Sequence, residues 1–350
     1  MKTVAVVGTV GIPACYGGFE SLVENLTANA SENIKYSVFC SSKSYEEKLA
    51  LYNGARLIYL PLKANGVQSV PYDILSLVRS LFVKPDVVLI LGVSGCIFLP
   101  IFRLLSKSKI VTNIDGLEWK RDKWGYWSRK FLKFSEKIAV KFSDVVISDN
   151  KAITDYVQSE YGVTSKTIAY GGDHALRDNI TPSNEPEYCL ALCRIEPENN
   201  VSMILRAFSK SERKLKFVGN WDASEFGQKL KSEYSKFDNI EIIDPIYSLD
   251  ALYKLRASCS LYVHGHSAGG TNPSLVEMMH FAVPILAFNC SFNHFSTESK
   301  AEYFASSEQL LQLLNLDNNL EREAIGKRMK SIANENYTWS CISNRYEDVF

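Results

Sequence analysis

The chain has 350 residues, of which 46% are hydrophobic and 22% charged. That length exceeds what one hydrophobic core ordinarily fills, so two domains of a soluble globular protein are expected. Lys and Arg together number 39, as do Asp and Glu; with no net charge there is no global pull toward nucleic acid, and a basic patch has to be argued locally.

The first residues, Met1 to Gly8, read as a short apolar strand running into a glycine loop, without the basic region and long apolar core of a signal peptide. Candidate strands follow at Thr3–Val7, Tyr36–Cys40, Arg56–Leu60, Asp86–Leu91, Lys109–Asn113, Asp144–Ile147 and Thr167–Ala169. Helical patterns lie between several of them, at Gly17–Ala30, Tyr72–Phe82 and Tyr126–Phe142. This alternation predicts a parallel, doubly wound α/β sheet. The apolar run Val87–Phe102 is broken by Gly92, Ser94, Gly95 and Pro100. It falls short of the ~20 residues that a membrane span needs, so a buried strand, a turn and a helix are expected there.

The register then restarts. Gly171-Gly172-Asp173 is a turn signal, and Asp178–Pro186 is polar and proline-bearing, as a linker would be. A second series of strands is expected at Tyr188–Cys193, Leu215–Val218, Ile240–Ile243, Ser260–Val263 and Ile285–Phe288. Two Rossmann-like halves result, and sheets of this kind bind ligands at the carboxyl ends of their strands. The eight cysteines contain no C-x-x-C pair and mostly lie in apolar runs. They read as buried thiols in a reducing cytoplasm rather than as a disulfide framework.

Four motifs sit where such ligands bind. Gly8 to Glu20 joins the first strand to the first helix, and Gly17-Gly18 could let backbone N–H groups approach an anion. Its spacing matches neither G-x-G-x-x-G nor the P-loop, which weakens NAD and ATP readings; a plain tight turn is the alternative. Asn113 to Trp124 follows a strand and carries Asp115 and Glu118, candidates for a base or for acceptor-hydroxyl ligands, or else a capped, solvated charge run. Cys193 to Asn200 ends the first strand of the second half; Arg194 there suits forked contact with phosphate, unless it is paired with Glu196 or Glu198. His264 to Glu277 precedes a helix opened by Pro273. Gly269, Gly270 and Thr271 could cradle a diphosphate and Glu277 could accept from ribose hydroxyls, while Asn272 or Ser274 could equally be a helix cap.

Taken together, G-T-x-G-I-P-x-x-Y-G-G-F-E, I-D-G-L-E-W-K-R-x-K-W, R-I-E-P-E-N-N and G-G-T-N-P-S-L-V-E resemble the rhamnosyltransferase-like bacterial members of glycosyltransferase family 4. The matches run in order from Gly8 to Glu277, and Tyr337-Thr338-Trp339 also resembles the end of that family. The resemblance implies a GT-B architecture of two Rossmann-like domains facing across a cleft: 1–172 on the acceptor side, 173–336 for the nucleotide sugar, and a terminal helix at 337–350 packing back on the first. It implies retaining transfer of a sugar, with dTDP-L-rhamnose as leading donor, to a saccharide acceptor that is commonly lipid-linked. Arg194, Gly270, Thr271 and Asn272 would hold the diphosphate and Glu277 the ribose, with Gly17 and Gly18 approaching the donor and Asp115 near acceptor and sugar.

Two positions depart from the broader family. Gly269 stands where an earlier glutamate is usual, and Asn199 and Asn200 stand where a lysine is usual. A donor-binding protein without turnover, or a GT-B epimerase, is therefore an alternative. No D-x-D triplet occurs, so metal-independent stabilisation of the leaving group by Arg194 and the Gly269–Thr271 loop is expected. His264 and His266 lack an evident third ligand for a metal. The mixture of Trp, Tyr and basic residues over 119–130 suits a peripheral contact with an anionic membrane, or packing of Trp119 and Trp124 with solvated bases. No cofactor and no nucleic-acid partner are expected.

Overall fold

The computed structural model describes every residue except Tyr16, 121–123, Asn179 and 182–186. The chain divides into two compact units, Met1–Tyr170 with Trp339–Phe350, and Gly171–Thr338. Of the expected linker over 178–186, Asn179 and 182–186 lie outside the described residues.

The first unit runs β1 (Lys2–Val7), α1 (Gly18–Ala28), β2 (Ile34–Ser41), β3 (Leu51–Tyr52), β4 (Ala55–Leu60), α2 (Ser69–Val83), β5 (Val87–Leu91), α3 (Leu99–Leu105), β6 (Lys109–Asn113), α4 (Tyr126–Phe142), β7 (Val145–Ser148), α5 (Lys151–Tyr161) and β8 (Lys166–Thr167). Its sheet has the order β3-β4-β2-β1-β5-β6-β7-β8, parallel except for the β3/β4 pair. Val87 to Leu91 are all buried, the unbroken apolar run that a central parallel strand acquires when both of its faces are covered. The stretch that could be mistaken for a membrane span is thus β5, a 3-10 turn and α3. Among the described residues no helix is long and apolar enough to cross a membrane.

The sheet grows outward on both sides of the neighbours β1 and β5. Loops leaving these strands diverge, which makes a crevice at their carboxyl ends. Gly8 opens the loop after β1 with φ +90°, and a Cβ there would lie 2.1 Å from the Leu91 carbonyl oxygen. Only glycine can make this turn against β5.

The second unit runs β9 (Cys189–Leu192), α6 (Val201–Phe208), β10 (Leu215–Val218), α7 (Glu225–Tyr234), β11 (Ile240–Ile243), α8 (Leu249–Ser258), β12 (Leu261–His264), α9 (Pro273–Met279), β13 (Ile285–Phe288), α10 (Ser291–Ser296), β14 (Glu302–Phe304), α11 (Ser307–Asn315) and α12 (Asn319–Asn336). Its sheet is parallel throughout, ordered β11-β10-β9-β12-β13-β14, with the switch point between β9 and β12. Ile204, Phe208, Phe217 and Trp221 fill one side of it. The edge strands β3 and β14, two and three residues long, carry no periodicity by which a sequence pattern could reveal them. The strand expected at Thr167–Ala169 starts one residue earlier and is the two-residue β8, whose Lys166 and Thr167 lie in register with Ile147 and Ser148 of β7.

The terminal helix α13 (Trp339–Asp348) belongs to the first unit. Ile342 and Tyr346 are fully buried, Phe350 meets Tyr36 edge to face at 6.2 Å, and Lys2 Nζ donates to the Phe350 carbonyl at 2.9 Å.

Candidate functional site

Two loops emerge at the switch point of the second unit, 193–200 after β9 and 265–272 after β12. They are stitched together. The Glu198 carbonyl accepts from the Ser267 amide at 3.0 Å and from its hydroxyl at 2.7 Å. Asn200 Nδ2 donates to the Gly265 carbonyl at 2.8 Å. Asn199 Nδ2 donates to the Arg194 carbonyl at 2.7 Å, which leaves its Oδ1 to accept from His266 Nδ1 at 2.8 Å. The loops lie so close that a Cβ on Gly265 would sit 2.2 Å from the Asn199 carbonyl oxygen. This accounts for the two asparagines at the lysine positions. Asn199 is buried, and a lysine there would bury a charge while losing both ties.

Arg194 points its side chain outward, 62% exposed, with Nε 3.7 Å from Glu196 Oε2. A pair that long and wet holds the guanidinium only weakly. Gly269 has φ +114°, and Thr271 is buried. Asn272 caps α9: its Oδ1 accepts from the Ser274 amide at 3.0 Å and from the Ser274 hydroxyl at 2.7 Å, while Tyr262 Oη donates to that hydroxyl at 3.2 Å. In this arrangement the side chains of Asn272 and Ser274 serve the helix start, which leaves Gly269, Gly270 and Thr271 as the small-residue stretch on this loop.

Glu277 lies further along α9, held from two sides. Oε2 is ion-paired with Arg256 of α8, and Oε1 is 3.4 Å from His174 Nε2. Burial pushes the carboxyl upward, but Arg256 and His174 outweigh it and hold Glu277 below the ordinary carboxylate range. Arg256 is only 5% exposed, and its Nε has no hydrogen-bond partner among the described residues. An arginine in the last turn of an amphipathic helix reads as a surface residue, so the sequence gives no sign of this role.

His264 ends β12 with its Nε2 buried and without a hydrogen-bond partner among the described residues, and burial lowers its imidazole well below the usual titration range. The His264 and His266 rings are 6.1 Å apart. Among the described residues no three His, Cys, Asp or Glu side chains gather closely enough to hold a metal ion.

In the first unit, the glycine loop is organised by Glu20, another residue that the motif reading passed over. Oε1 accepts from Thr9 Oγ1 at 2.8 Å and from the Val10 amide at 2.7 Å; Oε2 accepts from the Gly17 amide at 2.8 Å. The Gly17 N–H that could have met an anion is thus engaged by the protein's own carboxylate, and Gly18 begins α1. Asp115 stands at φ +61°, its amide donating to Asn113 Oδ1 at 2.9 Å while Asn113 Nδ2 donates to Tyr346 Oη at 2.8 Å. Burial raises the Tyr346 phenol, which stays neutral in this chain of contacts. Glu118 Oε1 accepts from Trp124 Nε1 at 3.1 Å.

The aromatic and basic stretch over 119–130 divides. Trp119 packs against Tyr156 with Lys133 Nζ 4.6 Å from its ring centre, and its indole nitrogen is buried. Arg121 and Lys123 lie outside the described residues. Tyr126 and Trp127 are exposed, Trp127 by 78%. From them an exposed face continues along α4 through Lys130, Phe134, Lys137 and Lys141, with Ile101, Leu104 and Leu105 exposed on neighbouring α3.

Residues 174–309 match the profile of glycosyl transferases group 1, and residues 1–173 match a domain of unknown function, DUF1972. The second unit therefore carries a group 1 glycosyltransferase domain, and the two parallel-sheet units define a GT-B fold. Similar solved structures bear this out for the fold. Sucrose-phosphate synthase from Thermosynechococcus elongatus superposes with a TM-score of 0.82 at 14% identity, covering 100% of this chain and 98% of that one. HepE of Anabaena, in complex with UDP-glucose, superposes at 0.75 with 12% identity, covering 99% of each chain. A glycosyltransferase from Rickettsia africae superposes at 0.73 with 13% identity, covering 99% and 97%. No curated protein sequence matches this chain.

Proposed function

We propose that this chain is a retaining glycosyltransferase that takes a sugar from a nucleoside diphosphate donor, dTDP-L-rhamnose first among them, and passes it to a lipid-linked saccharide in the synthesis of a bacterial surface polysaccharide or O-antigen. One observation supports this most. The segment that matches group 1 glycosyltransferases contains both loops of the second switch point, with Arg194 exposed on one and Gly269–Thr271 on the other. In this reading Arg194 and the Gly269–Thr271 backbone take the diphosphate without a metal. Glu277, already fixed by Arg256 and His174, takes the ribose, and Asp115 and Glu118 serve the acceptor. The rhamnose and the lipid carrier rest on the motif resemblance.

A donor screen tests this. Purified protein is incubated in EDTA with dTDP-rhamnose, UDP-glucose and related donors, and thermal stabilisation and product formation are followed. One donor should raise the melting temperature and give nucleoside diphosphate on addition of a lipid-linked saccharide. Donor binding with no turnover on any acceptor would favour a binding protein, an epimerised donor would favour an epimerase, and activity abolished by EDTA would refute the metal-free reading.

We further propose a cytoplasmic protein that docks peripherally on anionic membrane through the α3–α4 face, where Trp127 and Phe134 enter the interface and Lys130, Lys137 and Lys141 meet the headgroups. Sedimentation with phosphatidylglycerol vesicles should capture the protein, and phosphatidylcholine vesicles should not. Changing Trp127→Ser, Lys130→Glu and Lys137→Glu together should weaken capture at least about tenfold, since each basic residue near an anionic surface contributes about 1 kcal/mol. Equal capture of the wild type and the variant would place the contact elsewhere.

A further inference from the structure

We infer that Lys133 is a positioning residue: its ammonium, set over the ring of Trp119, fixes the loop that carries Asp115 and Glu118, and its effect on transfer rests on the reading that these two carboxylates serve the acceptor. The loop leaves β6 at its carboxyl end, beside β5 and the switch point where sheets of this kind take their ligands. Its upstream end is tied through Asn113 to Tyr346. Downstream, Trp119 sits in the 3-10 turn Glu118–Lys120. The Trp119 Nε1 is buried and makes no hydrogen bond among the described residues. The residue is therefore held by its ring and not by its polar end.

Lys133 on α4 supplies the hold. Its Nζ lies 4.6 Å from the ring centres of Trp119 and Tyr156 and 5.0 Å from that of Tyr161. The ammonium is itself fixed. It donates to Tyr156 Oη and is paired with Glu160 at 3.0 Å and with Glu136 at 3.5 Å. Glu136 is only 1% exposed, and its Oε1 accepts from Tyr156 Oη and Tyr161 Oη, each at 2.6 Å. Burial works against the charge on Lys133, but Tyr156 and Glu160 outweigh it and hold the ammonium above its ordinary range. Burial pushes both phenols upward, so they remain donors to Glu136. A buried carboxylate and two phenols thus hold one cation over an indole. Neutralising Glu136 would not require Lys133 to meet Trp119. Lys120 stands 5.3 Å from the same ring but is exposed, where a cation–π contact is weaker. The loop therefore has an anchor at each end, with Asp115 and Glu118 between them.

The test separates positioning from the neutralisation of Glu136. The double variant Lys133→Met with Glu136→Gln removes both charges together and strands neither. Steady-state kinetics are run with the lipid-linked saccharide and with dTDP-rhamnose, or with UDP-glucose if that is the donor. Calorimetric titration of the donor and a melting curve accompany them. The double variant should bind the donor within about twofold of wild type, while its KM for the acceptor rises about tenfold, the effect of one desolvated cation–π contact. Lys133→Arg, which keeps a cation over the ring, should hold that KM within about threefold of wild type. If the double variant proves unfolded, Trp119→Leu and Trp119→Phe decide: Leu should raise the acceptor KM about tenfold, and Phe, which keeps a ring, should recover most of the loss. An unchanged acceptor KM, a donor affinity that falls equally, an Arg variant as impaired as the double variant, or a Phe variant no better than Leu overturns the inference while the transferase reading stands. A wild type that transfers sugar to no acceptor overturns the reading of Asp115 and Glu118 and this inference with it.

Discussion

Glu277→Ala is expected to cost the second unit about 3–5 kcal/mol, the usual penalty for removing one member of a buried ion pair. Arg256 would remain charged in a site where it is 5% exposed and its Nε already lacks a partner among the described residues. The loss comes from that stranded charge more than from the pair's net strength, so the double replacement Arg256→Met with Glu277→Leu should recover most of it. Urea unfolding followed by circular dichroism measures both. The pH dependence has a definite sign. The folded carboxyl is held below its ordinary value, so its stabilisation is fully present above the unfolded value of about 4.3 and is lost as pH falls through the lower, folded one. The difference in stability between wild type and Glu277→Gln should therefore be flat at neutral pH and shrink only in acid. A difference that grew toward acid would mean that Arg256 does not govern this carboxylate.

Arg194→Ala should do little to stability and much to function. Its side chain is 62% exposed and its ion pair with Glu196 spans 3.7 Å, a contact worth less than about 1 kcal/mol. If Arg194 meets the diphosphate as proposed, turnover with the preferred donor should fall by about 10²–10³, the range for loss of one donor to a developing anion. Arg194→Lys should restore only part, since an ammonium lacks the planar fork. Steady-state kinetics beside a melting curve check this. Unchanged turnover in Arg194→Ala would return the residue to a surface partner of Glu196 and shift the diphosphate contacts to the Gly269–Thr271 backbone.

These two residues show what the sequence does and does not display. The central strands and the loops that follow them are legible because apolar runs end in glycine at each switch point: Val4–Val7 before Gly8, and Leu261–Val263 just ahead of Gly265. Arg194 is legible for the same reason, as a cation at a strand's end. Arg256 is not, because its partner lies 21 positions away on another helix and nothing local distinguishes it from a solvated arginine. Asn199 and Asn200 read as missing charge; only the folded loops show them as the ties between 193–200 and 265–272. Glu20 reads as the last letter of a glycine motif, and it is the group on which that motif's backbone closes. Over 119–130 the composition is right for an interface, but the fold turns Trp119 inward and leaves Tyr126 and Trp127 outside.

The contact from Tyr346 to Asn113, and from Asn113 to the amide of Asp115, also fixes an order of events during synthesis. The first unit is translated first, yet the tyrosine that braces its Asp115 loop leaves the ribosome only after the whole of Gly171–Thr338. The second unit can close on its own residues as it emerges, as domains generally do. The first must wait with Asn113 and the buried seats of Ile342 and Tyr346 unfilled. The Asp115 loop therefore acquires its braced geometry only after the residues of the second unit have been made.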